Sequence, residues 1–120
     1  GDAGAQGMLG RMYFYGEGIV RDDAQAVQWL RKAADQGDAD AQGMLGRMYE
    51  QGIGVVQNKI LAYALYRLSA AQGMAHSVKE RDRLLNELTP AQIAEGQRIA
   101  AKWKPGSPFS THAQSVPYSP

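Results

Sequence analysis

An internal repeat constrains this chain more than any other feature. GDAGAQGMLGRMY at Gly1–Tyr13 returns as GDADAQGMLGRMY at Gly37–Tyr49. The match continues through Gly16/Gly52, Gly18/Gly54, Val20/Val56, Ala26/Ala62, Arg31/Arg67, Ala34/Ala70 and Gln36/Gln72, so that 19 of 36 aligned positions are identical. A period of this length marks a supersecondary unit that cannot bury its apolar face alone and must stack on its neighbours. Within the unit, Ala5, Met8, Leu9, Met12 and Tyr13 fall at i, i+3, i+4, i+7 and i+8, one stripe of a helix. Asp2 and Asp38 stand where an N-cap belongs, and Gly16 and Gly52 where a left-handed C-cap does. After a short G-x-G loop, Asp22 and Asn58 open second helices that run to about Asp35 and Ala71 and end before Gly37 and Gly73. Each unit is therefore a helical hairpin. Gly7, Gly10, Gly43 and Gly46 lie inside helices at a cost of about 1 kcal/mol each against alanine. A cost incurred in both units implies a use, and the expected one is close approach of a neighbouring helix at Gly10 and Gly46.

Beyond Gly73 the period holds in part. Met74–Leu88 reads as a helix, and Thr89, Pro90 and Gln92 form a capping box that starts another running to Trp103. The expected organisation is two repeats at 1–36 and 37–72, a capping hairpin at 73–103 and a disordered tail at 104–120, where prolines and serines replace the apolar periodicity. The expected fold class is all-α, an α-solenoid of antiparallel helical hairpins. Thirteen Lys and Arg against twelve Asp and Glu leave a formal charge of +1 with no run of one sign, which argues against nucleic acid and anionic membranes as partners. Apolar runs such as Ile60–Leu65 are too short to span a bilayer. The absence of cysteine excludes disulfides, thiolate metal sites and a thiol nucleophile.

The pattern of Ala5, Leu9, Gly10, Tyr13, Gly16, Gly18, Val20, Asp22, Ala26, Trp29, Ala33, Ala34 and Gly37 resembles the Sel-1-like repeat, a relative of the tetratricopeptide repeat. LTPAQIAEGQRIAAKW is similar to the terminal helix of many bacterial members. The resemblance covers Gly1 to about Trp103 and implies a right-handed α-solenoid that acts as a non-enzymatic adaptor for a protein or peptide. It favours a bacterial protein, exported or periplasmic, with a cytoplasmic location as the alternative. A branch with one disulfide per hairpin has been connected with penicillin binding, and a chain without cysteine does not match it. A cell-wall-fragment or small-molecule binder or hydrolase related to that branch, and a structural spacer in a longer chain, are the alternatives.

No catalytic constellation stands out. Gly16-Glu17-Gly18 and Gly52-Ile53-Gly54 follow helices and lack the third glycine of a phosphate loop, so they read as C-caps and turns. Of the two histidines, His76 has no partner at metal-ligand spacing and His112 falls in the expected tail, so neither a metal nor a cofactor is expected. Tyr63, Leu65, Tyr66 and Leu68 read as a central helix packed on several sides, and Trp29 and Trp103 as packing anchors. Opposite the apolar stripe lie Gly4, Gly7, Arg11 and Phe14, then Asp40, Gly43, Arg47 and Glu50, then His76, Lys79, Arg83 and Asn86. First helices line the concave wall of tetratricopeptide-like solenoids, so by resemblance this face is the candidate partner site, carried by Arg11, Phe14, Asp40, Arg47, Glu50, His76, Lys79 and Arg83. Arg11, Arg47 and Arg83 would stack as a ladder able to grip the carboxylates of an acidic peptide. The alternative is that Arg47 pairs with Glu50, and Arg83 with Glu80 or Glu87, along their own helices. Gly1 aligns with the helix-ending Gly37 and Gly73, so the chain is expected to begin inside an array. That would leave part of the Ala5, Met8, Leu9 and Met12 stripe bare and promote weak self-association through the N-terminal hairpin.

Overall fold

The computed structural model describes residues 2–105, and the described residues form six α-helices and no strand. They are α1 (Ala3–Tyr15), α2 (Asp23–Asp35), α3 (Ala39–Gln51), α4 (Lys59–Ala71), α5 (Ala75–Leu85) and α6 (Pro90–Lys102). The tail expected at 104–120 lies, beyond Pro105, outside the described residues.

The caps act where the sequence places them. The side chains of Asp2, Asp22, Asp38 and Asn58 accept from the backbone N–H groups of Gly4, Gln25, Ala41 and Ile60/Leu61, satisfying amides that have no partner inside the first turn. Thr89 and Gln92 make the reciprocal capping box at the start of α6. Gly16 and Gly52 both take φ of 72°, a left-handed conformation that costs glycine nothing and closes each first helix. Helix α5 has Met74 at its N-cap, whose side chain makes no capping hydrogen bond, and it is the shortest of the six at 11 residues.

Helices α1 and α2, and α3 and α4, pack as hairpins, and α2 then packs on α3 and α4 on α5. Gly10 and Gly46 lie at the hairpin crossings, as the repeated glycines imply. A Cβ on Gly10 would stand 2.7 Å from Leu30 Cγ, and one on Gly46 would stand 3.2 Å from the Tyr66 ring. The last pair departs from the pattern, because α6 packs mainly on α4. Trp103 follows α6, and its ring reaches within 3.5 Å of where a Gly37 Cβ would be. Helix α4 is thereby covered by α3, α5 and α6, which is why Tyr63, Ala64 and Leu65 are all 0% exposed. At the other end of the stack α1 has α2 on one side only. Ala5 is exposed and Met8 is 66% exposed, whereas the equivalent Ala41 is 1% exposed and Met44 is partly buried.

Candidate functional site

The residues opposite the apolar stripe fall into three environments. Phe14, expected on the open face, is buried at 7%. The guanidinium of Arg47 in the next repeat sits 5.6 Å from its ring centroid, that of Arg21 sits 5.9 Å away, and Tyr15 packs edge-on at 4.8 Å. Glu50 stands at the same repeat position as Phe14 and meets the equivalent arginine: Arg83 donates to Glu50 Oε2 at 2.6 Å. Arg83 also donates to Glu80 and Glu87, each at 2.7 Å. These bonds raise the Arg83 pKa above its ordinary value, with the Glu80 bond contributing most. Glu87 is held below the usual carboxylate range by Arg83 first and by Lys59, at 3.4 Å, second. Tyr66 donates to Glu50 at 3.1 Å, and burial, together with the Glu50 charge, raises its pKa.

The arginine row is therefore a set of junctions between repeats. The arginine of one unit reaches the residue 33 positions earlier, a ring at the first junction and a carboxylate at the second. The intrahelical alternative holds for Arg83, which does pair with Glu80 and Glu87, while Glu50 takes Arg83 and leaves Arg47 on the Phe14 ring. The 33-residue spacing is present in the sequence, but a reading confined to i+3 and i+4 neighbours misses it. Gly43 is likewise covered at a junction. A Cβ there would stand 2.8 Å from Ser77 Oγ, which donates to Ser69 Oγ at 2.6 Å.

Arg11 lies 5.7 Å from the centroid of the Tyr15 ring and 4.0 Å from Glu17, with a side chain 65% exposed. It lines a groove of about 710 Å³ formed largely by α1 and α3. Met8, Met12, Met44 and Leu30, with Tyr15 and Ala41, supply the apolar lining. The polar lining comes from Arg11 and Glu17 on one side and Asp38 and Asp40 on the other. Gly4 and Gly7 add no side-chain bulk, and a Cβ on Gly7 would stand 3.7 Å from the Asp38 carboxylate. Of the eight expected partner-site residues, Arg11 and Asp40 meet in this groove. Phe14 and Arg47 form one junction, and Glu50 and Arg83 the next. His76 and Lys79 stand exposed on α5. The apolar stripe of each first helix is only partly core: Met48, outside the groove, is 0% exposed, whereas Met8, Met12 and Met44 line the groove. Among the described residues no group of three His, Cys, Asp or Glu could hold a metal ion, and no helix is long and apolar enough to cross a membrane.

A family model described as the Sel1 repeat matches residues 3–38 and 39–74, the two hairpins with a boundary two residues later than the sequence period suggests. A solved protective antigen present in uropathogenic Escherichia coli strains, displaying an SLR fold, matches with a TM-score of 0.83 at 28% identity. The match covers 100% of this chain and 26% of that one. A Sel1 repeat protein from Oxalobacter formigenes matches with a TM-score of 0.67 at 41% identity, over 69% of this chain and 62% of its own length. The chain thus spans about a quarter of the first relative and less than two thirds of the second. With two tandem matches over more than half its length and an all-α helical-repeat solenoid as its fold, the chain belongs to the Sel1 repeat family.

Proposed function

We propose that this chain is a non-enzymatic interaction scaffold that holds a peptide or protein segment in the groove between α1 and α3. The observation that carries this reading is the groove itself, about 710 Å³ of open, methionine-rich surface with charged groups at its edge. Methionine side chains adapt to varied apolar partners, and polar groups around an apolar patch fix orientation. A hydrolase reading is poorly served by the carboxylates around Arg83, because Glu50, Glu80 and Glu87 are all engaged by it. The test is selection of short random peptides displayed against the immobilised chain, followed by amide shift mapping of the recovered binders. Perturbations are expected to cluster on Gly4–Tyr15 and Asp38–Met44, and Met8→Ser is expected to weaken binding about threefold or more, the loss that follows from removing an apolar contact area of this size. Perturbations confined to the two G-x-G loops or to α5 and α6 would place the partner elsewhere.

A second reading, weak self-association through the α1 edge, is favoured by the contrast between exposed Ala5 and buried Ala41 at one repeat position. An apolar edge whose internal counterpart is covered by a neighbouring helix tends to find a substitute. Sedimentation velocity across a wide concentration range is expected to show a rising weight-average coefficient that Met8→Glu abolishes. A constant monomer value would remove this reading.

A further inference from the structure

We infer that the groove selects a cationic segment, one that sets a lysine or arginine beside Asp40 while its apolar side chains lie on Met8, Met12 and Met44. The inference rests on the groove reading above and adds the chemical class of its occupant. The ladder of arginines suggested an acidic peptide, and the contacts remove most of that attraction. Arg83 is shared among three carboxylates, and Arg47 lies on the Phe14 ring outside the groove lining. The groove retains Arg11, and Glu17 stands 4.0 Å from it. Against this one arginine the lining sets Glu17, Asp38 and Asp40.

These carboxylates are not equivalent. Asp38 is committed to capping α3, accepting from Ala41 N–H at 2.9 Å. Asp40 is exposed in the first turn of α3 and makes no hydrogen bond or ion pair with any described residue. The α3 N-terminus carries a partial positive charge of about half a unit, which reduces the negative field of two aspartates without cancelling it. An incoming anion would meet a net negative edge, whereas an incoming ammonium or guanidinium would find an unshared carboxylate. The stem of a lysine or arginine is itself apolar and can lie along the methionines while its head reaches Asp40. Charge and apolar lining thus favour the same occupant. An exposed ion pair of this kind supports about a two- to fivefold preference, and reversing its sign supports about the square of that.

The test uses the whole chain and the peptide selection already described. The most frequent recovered sequence is synthesised as found and with each lysine and arginine replaced by glutamate, and both are titrated by fluorescence anisotropy. Recovered sequences are expected to carry more Lys and Arg than Asp and Glu, next to apolar residues. Asp40→Asn is expected to weaken the cationic peptide about two- to fivefold, and Asp40→Lys to reverse the preference between the two peptides. Higher salt should narrow the difference between them, since the pair is exposed. Far-UV circular dichroism and urea midpoints confirm that each variant is folded. Recovery of acidic peptides, or cationic peptides indifferent to Asp40→Lys, would overturn the inference. If Met8→Ser weakens binding while Asp40→Lys does not, the groove stands and the cationic class falls. If neither substitution alters binding, both fall.

Discussion

Alanine in place of Gly96 is expected to destabilise the protein by about 1–3 kcal/mol, the usual cost of forcing extra volume into a packed interior. Helix propensity pulls the other way, since alanine is favoured over glycine by about 1 kcal/mol in a helix interior. The outcome is decided by what the new methyl meets. At Gly96 it meets the Tyr63 ring, with Cε2 at 3.0 Å and Cδ2 closer still, and Tyr63 is 0% exposed. The ring cannot swing into solvent, so α6 must lift from α4 or the ring must leave its rotamer. Gly7 supplies the contrast within the same molecule. Its nearest neighbour would be Ala33 Cβ at 3.6 Å, an ordinary contact, so Gly7→Ala is expected to stabilise by up to about 1 kcal/mol. Urea denaturation with a shared slope measures both. A midpoint raised by Gly96→Ala would show that α6 is free to ride away from α4, contrary to the packing described.

The two substitutions also separate what sequence reveals from what it hides. Period, caps and glycine stops are local features, and they carry the helix boundaries to within a residue or two for α1 to α4, because each signal is the residue that satisfies or ends the backbone ladder. Gly10 and Gly46 were legible as contacts because a propensity cost repeated at one position in both units points to a steric use. Gly96 occurs once, in a helix whose docking on α4 no local rule specifies, so neither its role nor the position of α6 could be read. Phe14 shows the same limit for the site. A helical wheel puts it opposite Leu9 and hence outward, but the next repeat supplies Arg47, and the ring is buried by a residue 33 positions away. Arg11 and Asp40 were legible as open polar residues on the first-helix row. The pairing of Arg83 with Glu50, which takes one rung out of the arginine row, was not legible, because it depends on tertiary register.

The same methionine at equivalent or neighbouring repeat positions is expected to have very different energetic weight. Met48→Ala should cost about 2–5 kcal/mol, because Met48 is 0% exposed and its removal leaves a void between helices that cannot fully collapse. Met8→Ala should fall within about 0.5 kcal/mol of the parent, since Met8 is 66% exposed and its loss opens no cavity. Met12, the counterpart of Met48 and partly buried, should lie between them. The residue type and helical phase of Met12 and Met48 are identical, so the difference between them measures the covering helices alone: α3 is packed by α2 and α4, whereas α1 has α2 and a few contacts from α3. That cause can be tested directly by fusing a copy of residues 37–72 ahead of Gly1, which offers α1 the covering helix that α2 gives to α3. In the fusion, Met12→Ala is expected to rise toward the cost of Met48→Ala, while Met48→Ala is unchanged, because repeat arrays couple chiefly through nearest neighbours. Should Met12→Ala cost the same in both proteins, its low cost would be a property of α1 itself and not of what covers that helix.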